Sequence, residues 1–83
     1  MLSSQELYEV DQAARDELAG LFSSAIRNRS TLSDEDLFRV SRCLIETSMA
    51  LLNYWQSLEN GNDRAIIGEA KLMAKGYLAA YLD

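Results

Sequence analysis

The stretch SDEDLFRVSRCLIETSMALLNYWQSLE, residues 33–59, decides the fold. Its apolar residues fall into two seams. One runs Val40, Leu44, Thr47, Leu51, Tyr54, Leu58, and the other runs Phe38, Ser41, Ile45, Ser48, Leu52, Trp55. Each seam alternates steps of four and three, the spacing that keeps side chains in line along a helix packed against another helix. The arc left for water is narrow and is built from Arg39, Arg42, Glu46, Asn53 and Ser57. A surface helix of a small domain needs one apolar stripe about 100° wide, and this helix carries far more. Its surplus requires a partner. Ser33 is placed to cap the helix, and Asp34, Glu35 and Asp36 fill the first turn, where carboxylates face partly positive amides. That explains the acidic run without a metal, because hard-cation loops space their oxygens differently.

The flanking segments complete a three-helix chain. Ser3 and Glu6 have capping-box spacing and predict a first helix ending near Asn28 or Arg29. Its expected core stripe is Leu7, Val10, Ala14, Leu18, Leu21, Phe22 and Ala25, with Ile26 at the edge. Glu9, Gln12, Asp16, Ser23 and Arg27 are expected on the solvent side. The polar connection Ser30-Thr31-Leu32 follows. The link Asn60-Gly61-Asn62-Asp63 offers a left-handed stop at Gly61 and a cap for the next helix at Asn62 or Asp63, and its shortness forces an antiparallel hairpin. The last helix, predicted over residues 64–82, carries the stripe Ile66, Ala70, Met73, Ala74, Tyr77, Tyr81. Leu72, Ala79, Gly68 and Gly76 lie toward its other side, with Lys71 and Lys75 on one flank and Glu69 on the other. Glycine inside a helix costs about 1 kcal/mol relative to alanine, so Gly76, with Ala80 four residues on, points to close approach of another backbone. No repeat, low-complexity tract or domain boundary interrupts residues 1–83, which are read as one helical domain.

Composition narrows the function. A chain of 83 residues supplies a core worth only roughly 3–5 kcal/mol unless a disulfide, a metal or association adds to it. Cys43 is the single cysteine and there is no histidine, so an internal disulfide is excluded and no metal or cofactor site is expected. Association is the remaining route. The 48% hydrophobic content and the absence of proline fit a packed helical domain. No apolar run reaches the ~20 residues that span a bilayer, and the first residues lack a signal-peptide pattern, so a cytoplasmic protein without membrane contact is expected. The Asn28-Arg29-Ser30 sequon is read as chance. A net charge of −5 opposes a nucleic-acid surface within these residues.

No catalytic constellation is present in the sequence, and the chain is not expected to be an enzyme. The usual base near neutral pH is missing, and Cys43 is expected to be a buried, inert thiol. Asp16 and Glu17, like Asp34, Glu35 and Asp36, occupy positions with no reason for a raised pKa. Trp55, Tyr54, Tyr77, Tyr81, Phe22 and Phe38 are read first as core, with a pocket for an apolar ligand as the alternative.

Two segments carry a resemblance. IIGEAKLMAKGYLAAYL, residues 66–82, resembles the last helix of tetracycline-repressor (TetR) family regulators, which often run through a Glu and Lys to a Leu or Met and close near a Tyr-Leu pair. LIETSMALL, residues 44–52, is similar to their penultimate helix, and the likeness extends from about residue 11 onward. It implies the dimerisation and effector-binding region of a DNA-binding repressor, whose last two helices pair with those of a second subunit as a four-helix bundle. The two-sided helices above are what such pairing requires. The chain departs from the family in lacking the basic helix-turn-helix domain and the helices after it, which wall part of the ligand pocket. A fragment is therefore expected, dimeric by itself, with operator DNA bound only through the missing N-terminal domain and a small apolar effector as the further ligand. The dimer interface is expected at Ser41, Ile45, Ser48, Leu52, Trp55, Leu72, Gly76, Ala79 and Ala80. The alternative is a stand-alone helical protein-protein interaction module using the same seams.

Overall fold

The computed structural model describes residues 1–58 and 64–82, which form helices and turns without a strand. Helix α1 spans Ser4–Ile26, α2 spans Asp34–Ser57 and α3 spans Arg64–Ala79. Both expected N-terminal caps are in place. Ser3 Oγ accepts from the Glu6 amide at 3.1 Å while Glu6 Oε1 accepts from the Ser3 amide at 3.3 Å, and Ser33 Oγ accepts from the Asp36 amide at 3.1 Å. The turn assigned to Gly61, Asn62 and Asp63 lies outside the described residues.

The ends of the helices differ from the sequence reading by a turn or less. α1 tightens at Arg27–Arg29 into a 3₁₀ turn. α3 stops at Ala79, where Ala80 donates to the Tyr77 carbonyl and Tyr81 to that of Leu78. Arg27, expected on the solvent side of α1, holds the first connection. Its guanidinium pairs with Asp34 at 2.7 Å and donates to the carbonyls of Ser30, at 3.0 Å, and Leu32.

The helices lie side by side. α1 and α2 run antiparallel, with Arg27 beside Asp34 at one end and Arg15 beside Glu46 further along. α3 returns along α2, so that Trp55 lies near Ile66 and Ile67, and Cys43 lies near Tyr77. The principal extents are 41 × 35 × 14 Å, so the unit is much thinner than it is wide. Independent domains normally close a core between two layers. Here the buried apolar residues among those described are Ala19, Leu37 and Val40, joined by Ser41.

The face of α1 that meets α2 corrects the expected stripe. Leu7, Val10, Leu18 and Leu21 are exposed, and so are Ala14 and Ala25. Phe22 and Ile26 of that stripe are half-buried as expected, while Gln12, Arg15 and Ser23 meet α2 and Ala19 is buried with them. Small side chains explain the choice. Ala19 and Ser41 are both at 0% exposure, and Ser23 Oγ lies 2.7 Å from the Ala19 carbonyl and 3.0 Å from Ser41 Oγ. Ser41 Oγ lies 2.9 Å from the Leu37 carbonyl, so two hydroxyl protons serve three contacts along this seam.

Charge completes the same contact toward the other end. Arg15 Nη1 lies 2.6 Å from Glu46 and Arg15 Nε 3.0 Å from Asp11, the latter as an ion pair without hydrogen-bond alignment. Arg42 reaches Glu46 at 3.0 Å and Asp16 at 3.5 Å, and donates to the Gln12 side chain. Arg42 and Glu46, expected in the water-facing arc of α2, therefore lean on α1. The hydrogen bond that Arg15 donates to Glu46 raises the Arg15 pKa above the usual arginine value. The carboxylates stay about half exposed, so solvent screens each pair and the network serves mainly to fix register.

Candidate functional site

What the chain leaves uncovered is its most distinctive feature. A compact monomer of this mass exposes roughly 5,000 Å², about 1,300 Å² less than the 6257 Å² observed. The radius of gyration, 14.9 Å, likewise exceeds the ~12 Å of a compact chain of this length. Leu7, Val10, Leu18, Leu21, Leu52, Ile67, Leu72 and Met73 stand exposed on that surface. Monomeric soluble proteins rarely leave contiguous apolar surface beyond a few hundred Å².

Between α2 and α3 the surface sinks into a shallow trough. One part, of about 160 Å³, is bounded by Cys43, Leu44, Thr47, Leu51, Met73 and Tyr77. The adjoining part, about 260 Å³, is bounded by Leu52, Trp55, Ile66 and Ile67, and the two share Ser48, Leu51 and Ala70. Each part is smaller than the ~300–1,000 Å³ of an ordinary small-molecule pocket and lies open along its length. Trp55 Nε1 is enclosed without an acceptor among the described residues, so the indole is held there by its apolar edge. Tyr77 packs edge-on against Tyr81, with centroids 5.4 Å apart and planes at 68°. Desolvation pushes the Tyr77 phenol up from its usual pKa, with Cys43 beside it adding to the shift. Cys43 itself, expected to be buried, is exposed at the rim, because α3 covers only part of the arc on which it lies.

The residues expected at a subunit interface divide into two groups. Ser41 is enclosed inside the chain against α1 and is not available to a partner, because the small-residue seam with Ala19 and Ser23 takes it. Ile45 and Trp55 are half-buried, whereas Ser48, Leu52, Leu72, Gly76, Ala79 and Ala80 are exposed. A Cβ added at Gly68 or Gly76 would meet nothing within 4 Å. No neighbour inside the chain therefore requires those glycines. The sequence reading missed Arg15 and Ala19, which fall on one row with Gln12, Ser23 and Ile26 at steps of three and four. That row was readable in the spacing but is short of large apolar residues.

No group of three or more metal-ligating side chains gathers among the described residues, and no helix is long and apolar enough to cross a membrane. No protein-family model, curated protein or solved structure matches the chain. The described residues define an all-α unit of three helices that leaves apolar side chains exposed.

Proposed function

We propose that this chain is a homodimerisation unit, and specifically the dimerisation and effector-binding portion of a TetR-like DNA-binding transcriptional regulator. The surface surplus carries the proposal. Obligate dimers bury about 1,000–2,500 Å² on each subunit, and the excess of about 1,300 Å² falls in that range. The uncovered residues Ser48 and Leu52 of α2, and Leu72, Gly76 and Ala79 of α3 with Ala80 just after it, belong to the two helices that such regulators pair in a four-helix bundle. Glycines with open space above them suit the close approach of a second backbone. The trough beside Tyr77 is where a small apolar effector would touch these residues, and walls from elsewhere would be needed to enclose it.

Nucleic acid would be contacted by another domain. Net charge −5 predicts no measurable affinity of these residues for duplex DNA at physiological salt. A basic helix-turn-helix segment upstream of Met1 in the reading frame, together with operator binding by that longer product as a dimer, would support the regulator reading. Duplex binding by the 83-residue chain would overturn it, as would a true start at Met1 with no such segment. The start-site result would select the second reading, a stand-alone interaction module. The exposed stripe of α1 favours that reading, since pairing of α2 and α3 alone leaves it uncovered.

A further inference from the structure

The trough between α2 and α3 is charged at one end only. The part bounded by Tyr77 has no charged side chain in its lining. At the other end Trp55 and Ile67 also border an adjoining concavity, whose remaining walls are Arg64, Gly68 and Lys71. Arg64 and Lys71 are seven residues apart, about two turns of α3, so both leave the helix on one side. Gly68 stands between them, and a Cβ there would meet nothing within 4 Å, so the space between the two cations is open. Elsewhere in this chain of net charge −5, Arg15, Arg27, Arg39 and Arg42 are held in ion pairs by acids of α1 and α2. Arg64 and Lys71 meet no acid among the described residues, and Glu69 does not line their concavity.

An apolar groove that ends in two unpaired cations selects its ligand by complement. We propose that the trough binds an amphiphilic monoanion, an acyl or aryl carboxylate, with its apolar body against Leu51, Leu52, Trp55 and Ile66 and its carboxylate between Arg64 and Lys71. Arginine takes a carboxylate through two parallel N–H donors, and lysine adds a compact charge beside it. At the ~30 Å³ that a water-sized group occupies, the 260 Å³ of this part takes a body of roughly nine such groups, a medium-length chain or one substituted ring. This rests on the effector-binding part of the reading above and gives the effector a charge. The open side of the trough, at Ser48 and Leu52, is left for the second subunit to wall.

Trp55 is the only tryptophan, so its fluorescence reports the trough directly. The wild-type chain is titrated with decanoate, decanol and decyltrimethylammonium, each below its micellar concentration. The titrations are repeated on Arg64→Gln/Lys71→Gln and on Lys75→Gln, a lysine that lines neither part of the trough, with circular dichroism confirming that each variant is folded. Decanoate should give a saturable change in Trp55 emission, with decanol and the cation binding at least tenfold more weakly. The double variant should raise the decanoate Kd roughly tenfold or more and leave decanol unaffected, while Lys75→Gln stays near wild type. Equal affinity for decanol and decanoate, or decanoate binding that survives the double variant, overturns the anionic head and leaves an apolar effector in place. No saturable response to decanoate overturns the site itself. The mass of the same samples in sedimentation decides the dimer reading independently of either result.

Discussion

Leu37→Ala tests whether the small α1–α2 core holds the chain together. Leu37 is 1% exposed and sits one turn before Ser41 on the most enclosed part of α2. Removing a buried leucine side chain costs about 2–5 kcal/mol, more where surrounding groups cannot close the void. With few other buried apolar residues nearby and an open layer free to settle, the lower half of that range, about 2–3 kcal/mol, applies. A core of this size supplies only roughly 3–5 kcal/mol, so most of its contribution would be lost. For a domain this small each kcal/mol moves the thermal midpoint by about 4–8 °C, which predicts a fall of roughly 10–20 °C. Thermal unfolding followed by far-ultraviolet circular dichroism, at two protein concentrations, reads it. The drop should be similar at both concentrations, because Leu37 faces the chain's own interior. A drop of less than a few degrees would refute the assignment of the core.

Substitutions on the uncovered faces should behave differently. Leu72→Glu and Gly76→Leu should leave helix content unchanged and weaken dimerisation at least tenfold in sedimentation, since Leu72 is 65% exposed and nothing in the chain meets a Cβ at Gly76. Arg27→Ala should lower stability by about 1–2 kcal/mol in urea unfolding through loss of its bonds to Asp34, Ser30 and Leu32, and Arg27→Lys should recover only part of it. Because burial raises the Tyr77 pKa above its unfolded value of 10.0, the neutral phenol is favoured in the fold. The associated stability is complete below pH 10 and is lost as pH rises through the raised value, so Tyr77→Phe should flatten the alkaline side of a stability-pH curve.

Helix count and the N-terminal caps were legible in sequence because capping spacing is local: Ser3 with Glu6 and Ser33 with Asp36 are three residues apart and form as read. The antiparallel return of α3 was legible from the short link after α2, and of its expected stripe Ile66, Ala70, Ala74 and Tyr77 are half-buried beside α2 whereas Met73 and Tyr81 stay exposed. The packed face of α1 was not. Hydrophobic periodicity ranks Leu7, Leu18 and Leu21 above Ala19 and Ser23, yet close approach between helices selects small side chains, and Arg15 and Arg42 occupy the contact only because Asp11, Asp16 and Glu46 meet them there. The same preference draws Ser41 inward. Periodicity shows that a face is apolar but not whether its cover comes from the same chain, which is why the stripe of α1 read as core.

The most direct test of pairing through the uncovered faces is the mass of the purified chain in solution. Sedimentation equilibrium at micromolar concentration should return twice the 9.3 kDa of one chain, with full helix content and a thermal midpoint that rises with protein concentration. A stable, fully folded species of 9.3 kDa, with a midpoint independent of concentration, would contradict it.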